Sequence, residues 1–280
     1  MTNLFRKQLA RMSRVLAAGL GFAVVALPAA QANQSKPVIA HNTKIQVYFA
    51  GIPVGKIKLY YNIDDQDYFL EAFVETSGIS RLISDAKGRV VNKGSIAGAT
   101  VAVKSNSAVF SEGKRNMSVD IGFANKRVKK VVATPPIKYA EGHIPVRAIH
   151  RKDVVDPASS AFIPVSARHI GNGPAICNRT LKLFDGQYRM DIRMQYKGAR
   201  NLKVRGFKGK TYVCAVRYEP VAGHRDFKKN IQFMKNNKDI EIALARVGTS
   251  NVYGIIGFAI RTQAGWVTGK PYKFVTELRQ

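Results

Sequence analysis

The stretch Ala50-Gly51-Ile52-Pro53-Val54-Gly55-Lys56 is where this 280-residue sequence comes nearest to a phosphate-cradling loop. Such a loop needs four residues between its glycines, so that successive N–H groups curl round an anion, and a Ser or Thr after the lysine to hold magnesium. Here three residues separate Gly51 from Gly55, and Ile57 follows Lys56. A phosphate loop also opens a helix, whereas the residues beyond Lys56 alternate like a strand. The spacing argues against nucleotide chemistry and for a turn, Gly51 to Gly55, between two strands.

The histidines offer no better case for catalysis. His41, His143, His150, His169 and His224 fall in no metal-ligand spacing. There is no Gly-x-Ser-x-Gly elbow. Asp156 reads as a helix cap, Asp185 as a turn residue, and Asp191 stands between two arginines, so no two carboxylates pair as acid and base. A triad assembled from distant positions would escape this search. The expectation is a protein that is not an enzyme and uses no cofactor or metal.

Two cysteines, Cys177 and Cys214, are the remaining reactive side chains. They do not form the C-x-x-C of a redox pair, and an even count in an exported chain favours one structural disulfide.

Binding residues are easier to nominate. Tyr188, Met190, Ile192, Met194 and Tyr196 alternate along one strand face. They form either the buried side of an ordinary sheet or the lining of a lipid-sized cavity, which flexible methionines and amphipathic tyrosines would suit. The basic run Lys126, Arg127, Lys129 and Lys130 reads either as a rim for an acidic headgroup or as an edge strand that lysine keeps from aggregating.

Strands must position these residues. From Thr43 the dominant period is two, as in Ile45, Val47 and Phe49, and again in Ile57, Leu59, Tyr61 and Ile63. Asp185-Gly186 signals a type I′ hairpin between Leu181-Leu183 and the Tyr188 stripe. About a dozen such strands point to an all-β chain. One interruption, Asp156-Pro157-Ala158-Ser159-Ser160, reads as a short helix, with Asp156 at the cap, Pro157 at the first position and Pro164 ending it. Gly171 to Pro174 reads as loop, and His224 to Lys238 as helical or irregular.

If Phe184 pairs with Gln187 across the hairpin, Cys177 falls beside Met194, one strand away from Cys214. That puts the two about 9 to 10 Å apart in a flat sheet. A disulfide needs Cα atoms about 4.4 to 6.8 Å apart. Either Cys177 lies before its strand and folds back, or the sheet curls.

The first 32 residues read as an export signal. Arg6, Lys7, Arg11 and Arg14 precede an apolar run from Val15 to Leu27, and Ala30-Gln31-Ala32 supplies a cleavage pattern. Thirteen apolar residues are too few for a spanning helix, which needs about 20. Removing four of the 45 basic residues and none of the 18 acidic ones leaves 41 minus 18, or +23. Inside a cell such charge would suggest nucleic acid, but export to a periplasm replaces that partner with lipid headgroups, lipopolysaccharide phosphates and acidic polymers. The charge equally suits a solubilising outer face.

Four segments, AGIPVGKIKL, DVVDPASSAF, CNRTLKLFDGQYRMDI and CAVRYEPVAGH, occur in an order that resembles a family of exported proteobacterial proteins, DUF3108. The resemblance covers about Thr43 to Val275. It implies one periplasmic, mainly antiparallel β domain with a curved or barrel-like sheet, and no catalytic residues.

The sequence thus predicts a signal peptide at 1–32 and one domain at 33–280. The domain is all-β, a single curved antiparallel sheet, barrel-like or spiral, with one short helix. The expected function is binding of a lipid or other amphiphilic anion; the alternative is a scaffold contacting another envelope protein or the cell-wall polymer. Neither involves nucleic acid or a membrane span.

Overall fold

The computed structural model describes residues 38–64, 66–82 and 84–279. The expected signal peptide and its cleavage pattern lie outside the described residues.

Among the described residues, fourteen strands form one antiparallel sheet. The first seven are β1 (Val38–Phe49), β2 (Ile52–Asp64), β3 (Asp67–Thr76), β4 (Lys87–Ala97), β5 (Thr100–Glu112), β6 (Arg115–Ala124) and β7 (Arg127–Thr134). The rest are β8 (Phe162–Pro164), β9 (Arg179–Phe184), β10 (Arg189–Val204), β11 (Phe207–Ala222), β12 (Ile240–Arg246), β13 (Val252–Thr262) and β14 (Gly265–Arg279). The order runs β7 to β1, then β14 to β9, with β8 added against β13. Nearly every neighbour in space is a neighbour in sequence, because hairpins join the strands. The long-range exceptions are β1 with β14, paired along Val38↔Arg279 to Phe49↔Val267, and the short β8 with β13.

The sheet does not close on itself. Its edges, β7 and β9, are joined instead by the segment between β7 and β8. Asp153 donates its N–H to Lys126 O at 2.7 Å, on the β7 side. Val155 donates to Lys182 O, and Phe184 donates to Val155 O, both at 2.9 Å, on the β9 side. Val154, between them, is buried with Phe184 of β9 and Ile121, Phe123 and Val128 of β6 and β7. The strap thereby pairs with the start of β7 and the end of β9 and tethers the two edges to each other.

The core lies inside the curl. Leu59, Tyr61 and Ile63 of β2 and Leu70 and Ala72 of β3 pack against Ala243 and Ala245 of β12, Ile256 of β13 and Phe274 of β14. Beyond the strap the chain enters this space as one 3-10 turn, Ala158–Ala161. Asp156 caps it as expected, its Oδ1 accepting from the N–H of Ala158 at 2.8 Å and Ser159 at 3.1 Å. Pro157 already has helical dihedrals, φ −61 and ψ −32.

Four local expectations change. The turn between β1 and β2 is Ala50-Gly51, with φ of +47 and +86, and does not extend to Gly55. Gly55 stands inside β2 beside a bulge, where a Cβ would lie 3.0 Å from Glu75 O. The Asp185-Gly186 turn is four residues long, because Phe184 pairs with Arg189 rather than Gln187. Asp185 Oδ1 accepts from the N–H of Gln187 at 2.9 Å and Tyr188 at 2.6 Å, so a side chain organises the loop.

The third and fourth changes concern helices. Among the described residues there are two short α-helices, α1 (Gly173–Cys177) and α2 (Lys229–Asn236), where one short helix was expected near Asp156. α1 begins in the stretch read as a loop, capped by Asn172 Oδ1 accepting from Ala175 N–H at 3.0 Å. Asn favours such a cap and Pro174 suits the first turn. Cys177 ends α1, before β9, and lies close enough to bond Cys214 of β11, with Cα atoms 5.4 Å apart. Of the two geometries open from sequence, folding back is the one adopted.

Candidate functional site

The face of β10 to β12 beneath α1 is packed. Met194 is buried with Ile176, Cys177, Cys214, Val216 and Leu244, and Ile192 and Tyr196 pack against the same group. Three members of the sequence-nominated stripe are therefore core, and the ligand-lining reading is corrected for Ile192, Met194 and Tyr196. A Cβ on Gly173 would lie 2.3 Å from the Tyr196 ring, which shows how closely α1 covers this face.

Tyr188 and Met190 part from the stripe. They line an open cleft of about 570 Å³ with Tyr218, His224 and the first turn of α2. Tyr188 stacks on His224, ring centroids 4.7 Å apart, and the Tyr218 hydroxyl lies 3.1 Å from His224 Nε2. Burial lowers the His224 pKa, and the nearby Asp185 carboxylate opposes that shift. Burial also holds the Asp185 carboxyl above its ordinary value, against the two N–H bonds it accepts.

The basic run is exposed. Lys126, Arg127, Lys129 and Lys130 occupy the β6–β7 turn and the β7 edge, and all four face solvent. They border neither the cleft nor the groove described next, so they form no rim to either; lysine on an edge strand discourages pairing with other chains.

That groove lies on the inner face of the sheet. Side chains directly opposite each other in antiparallel strands share a face. Val74 pairs with Gly88, Gly88 with Phe110, and Phe110 with Met117, which makes one row across β3 to β6. The row continues the buried positions Leu70 and Ala72 of β3 and Ile121 and Phe123 of β6. Towards the core this face is covered; at its end it is open. Val74, Phe110 and Met117 are 45%, 40% and 52% exposed.

With Val47 and Val54 they line a groove of about 530 Å³. Gly88 has no side chain to fill the floor, and the Phe110 ring lies over it, 2.6 Å from where a Cβ would stand. Lys56, Lys87 and Arg115 border the groove; Arg115 shares the face of Met117, whereas Lys56 and Lys87 stand one residue out of phase with Ile57 and Gly88 and belong to the other face. Of the rim acids, Glu75 is paired with Lys58 at 3.1 Å, and Glu112 accepts from Ser84 Oγ at 2.7 Å. Among the described residues the three cations have no carboxylate partner.

The remaining titratable groups of the interior are held by the fold. His41 Nε2 and Nδ1 each lie 2.8 Å from a hydroxyl, Thr43 and Thr276. Burial pushes its pKa down to about 3. Asp156 is fully buried and bonds Asn92 Nδ2 at 2.6 Å and the Ser159 hydroxyl, while the Tyr68 hydroxyl donates to Asn92 Oδ1 at 2.6 Å. Each polar atom has a partner, so the group ties the capped turn to β3 and β4.

Fold and groove together define a curled antiparallel β protein with an apolar inner face open at one end. The protein-of-unknown-function model DUF3108 matches residues 44–253, and the chain belongs to that family. No curated protein matches the chain. Among solved structures, the chain is similar to a β-barrel-like protein of domain of unknown function DUF1849 from Brucella abortus. The identity is 10% over 87% of this chain and 98% of that one, with a TM-score of 0.48.

The groove was missed in the sequence because its members come from several strands. Phe110 and Met117 flank the Gly113 turn, a signal for neighbouring strands, but only register shows that they share a face with Val74.

Proposed function

We propose that this chain is a non-enzymatic envelope protein, exported to the periplasm, that binds an amphiphilic anion of the lipid class. The observation that carries the proposal is the groove. It runs from β2 to β6, four strand spacings of about 4.8 Å, or about 19 Å. A lipid tail spans half of a hydrocarbon core about 30 Å thick, or about 15 Å, so one tail fits along the row. Exposed apolar surface of this kind marks a ligand or partner. Arg115, on the same face as Met117, would receive the anionic head, as charge-assisted hydrogen bonds favour. Export rests on the basic and apolar residues from Arg6 to Leu27. Among the described residues no helix is long and apolar enough to cross a membrane.

The test is native mass spectrometry of the protein taken from a periplasm without harsh detergent, beside a Val74→Asp/Met117→Asp variant. Both residues are about half exposed, so the variant should fold. Lipid-mass adducts present on the parent and lost from the folded variant are expected. A clean parent mass would overturn the proposal and favour the scaffold reading, to be pursued by crosslinking. Adducts unchanged in the variant would move the ligand out of this groove.

A further inference from the structure

The second cleft differs from the groove in its chemistry. No carboxylate lines it, whereas Lys138, Arg225 and Lys228 do. Among the described residues none of these three is in an ion pair. The aromatic wall of Tyr188, His224 and Tyr218 stands on one side.

The opposite wall is the start of α2, whose Asn230 and Ile231 line the cleft. The first N–H groups of a helix have no acceptor within it and carry the positive end of its dipole. Many helices satisfy them with a Ser, Thr, Asp or Asn cap. Here the cap position is Lys228, which makes no side-chain cap bond. The helix start and three cations therefore converge on one concavity whose lining holds no carboxylate, although Asp185 and Asp226 lie close enough to act on His224.

We propose that this cleft binds a phosphate group, carried either on a soluble molecule or on a lipid headgroup. A compact multivalent anion suits several donors converging from different elements, and helix starts bind such groups through the same backbone N–H array. Tyr188 and Met190 give the carrier an apolar and aromatic surface beside the phosphate. Residues from three parts of the chain build the site. Lys138 comes from the segment after β7, Tyr188 and Met190 from the β9–β10 hairpin, and His224 to Ile231 from the link between β11 and β12. Two backbone bonds hold the first and last together: Ile144 donates to His224 O at 2.8 Å, and Gly223 donates to Ile144 O at 2.7 Å.

The high net charge would attract any anion weakly, so the test needs an internal control. Titration calorimetry with inorganic phosphate at low ionic strength, and flotation with phosphatidylcholine vesicles with and without phosphatidic acid, would be run on three proteins. These are the parent, Lys138→Glu/Lys228→Glu in the cleft, and Lys129→Glu/Lys130→Glu on the β7 edge. All four lysines are exposed, so folding is not at stake, and both pairs change net charge equally.

The cleft pair should weaken binding at least about tenfold, as expected for losing charge-assisted bonds, and the edge pair far less. Saturable one-to-one binding of inorganic phosphate identifies a soluble source. Binding only to vesicles with phosphatidic acid identifies a headgroup. Equal losses in the two pairs, or binding of neither probe, would overturn the proposal. The groove is untouched by these variants, so acyl-chain adducts on the cleft pair would separate this site from the lipid reading.

Discussion

Gly186, in the turn between β9 and β10, packs directly on Val119 of β6. A Cβ at Gly186 would stand 2.7 Å from Val119 Cγ1, with Val131 of β7 at 3.5 Å. The two strands belong to opposite ends of the sheet order, so this contact is where the curl brings its ends together.

Gly186 also has φ of +103, which side chains other than hydrogen avoid. Gly186→Val should therefore destabilise the protein by about 2 to 4 kcal/mol, from backbone strain and overpacking together. Hydrogen exchange should show the loss first in β7 and β9, as the strap loosens between them. Uniform loss of protection across all strands would show that the two edges do not open independently of the rest.

The disulfide predicts non-additivity. Cys177 and Cys214 are fully buried and 37 residues apart. Closing a loop of that size contributes about 3 to 4 kcal/mol by restricting the unfolded chain. Cys177→Ser and Cys214→Ser should each cost about that much, and the double substitution little more than either, since both remove one bond. Urea melts of the four proteins measure this. Simple addition would mean that the cysteines act separately.

His41 makes stability depend on pH. Unfolded, its imidazole takes up a proton near 6.5; folded, it does so only near 3, because burial among Tyr61, Phe274 and two threonine hydroxyls disfavours the charge. Between those values the unfolded chain binds the extra proton. Stability is therefore complete above about pH 6.5 and falls as pH is lowered towards about 3, by at most about 1.4 kcal/mol per unit. Asp156 and Asp185, whose pKa values burial raises, act in the opposite sense and damp the total. The difference between parent and His41→Gln isolates the histidine: the variant should be less stable at neutral pH and show a flatter acid slope. Parallel slopes would remove His41 from the account.

Local chemistry made much of the fold legible. Period-two runs mark strands because successive side chains face opposite ways, and the runs at Ile45, Ile57 and Met190 all lie in strands of the sheet. Asp156 reads as a cap because a short carboxylate reaches the N–H groups two and three residues on, and it does. The Cys177–Cys214 pair follows from the count, since the sequence holds two cysteines, and the bond forms.

What escaped depends on contacts between distant residues. The Asp185 turn was misjudged by two residues in register, because its side chain reorganises the loop. A sheet face is exposed, filled or open according to what the curl lays across it. Thus α1 covers Met194 and makes that face core, while among the described residues Val74, Phe110 and Met117 stay about half exposed. Alternation along the chain determined which residues share a strand face. Only the tertiary structure decided which faces meet, because pairing register and sheet curvature arise from contacts summed over the whole chain.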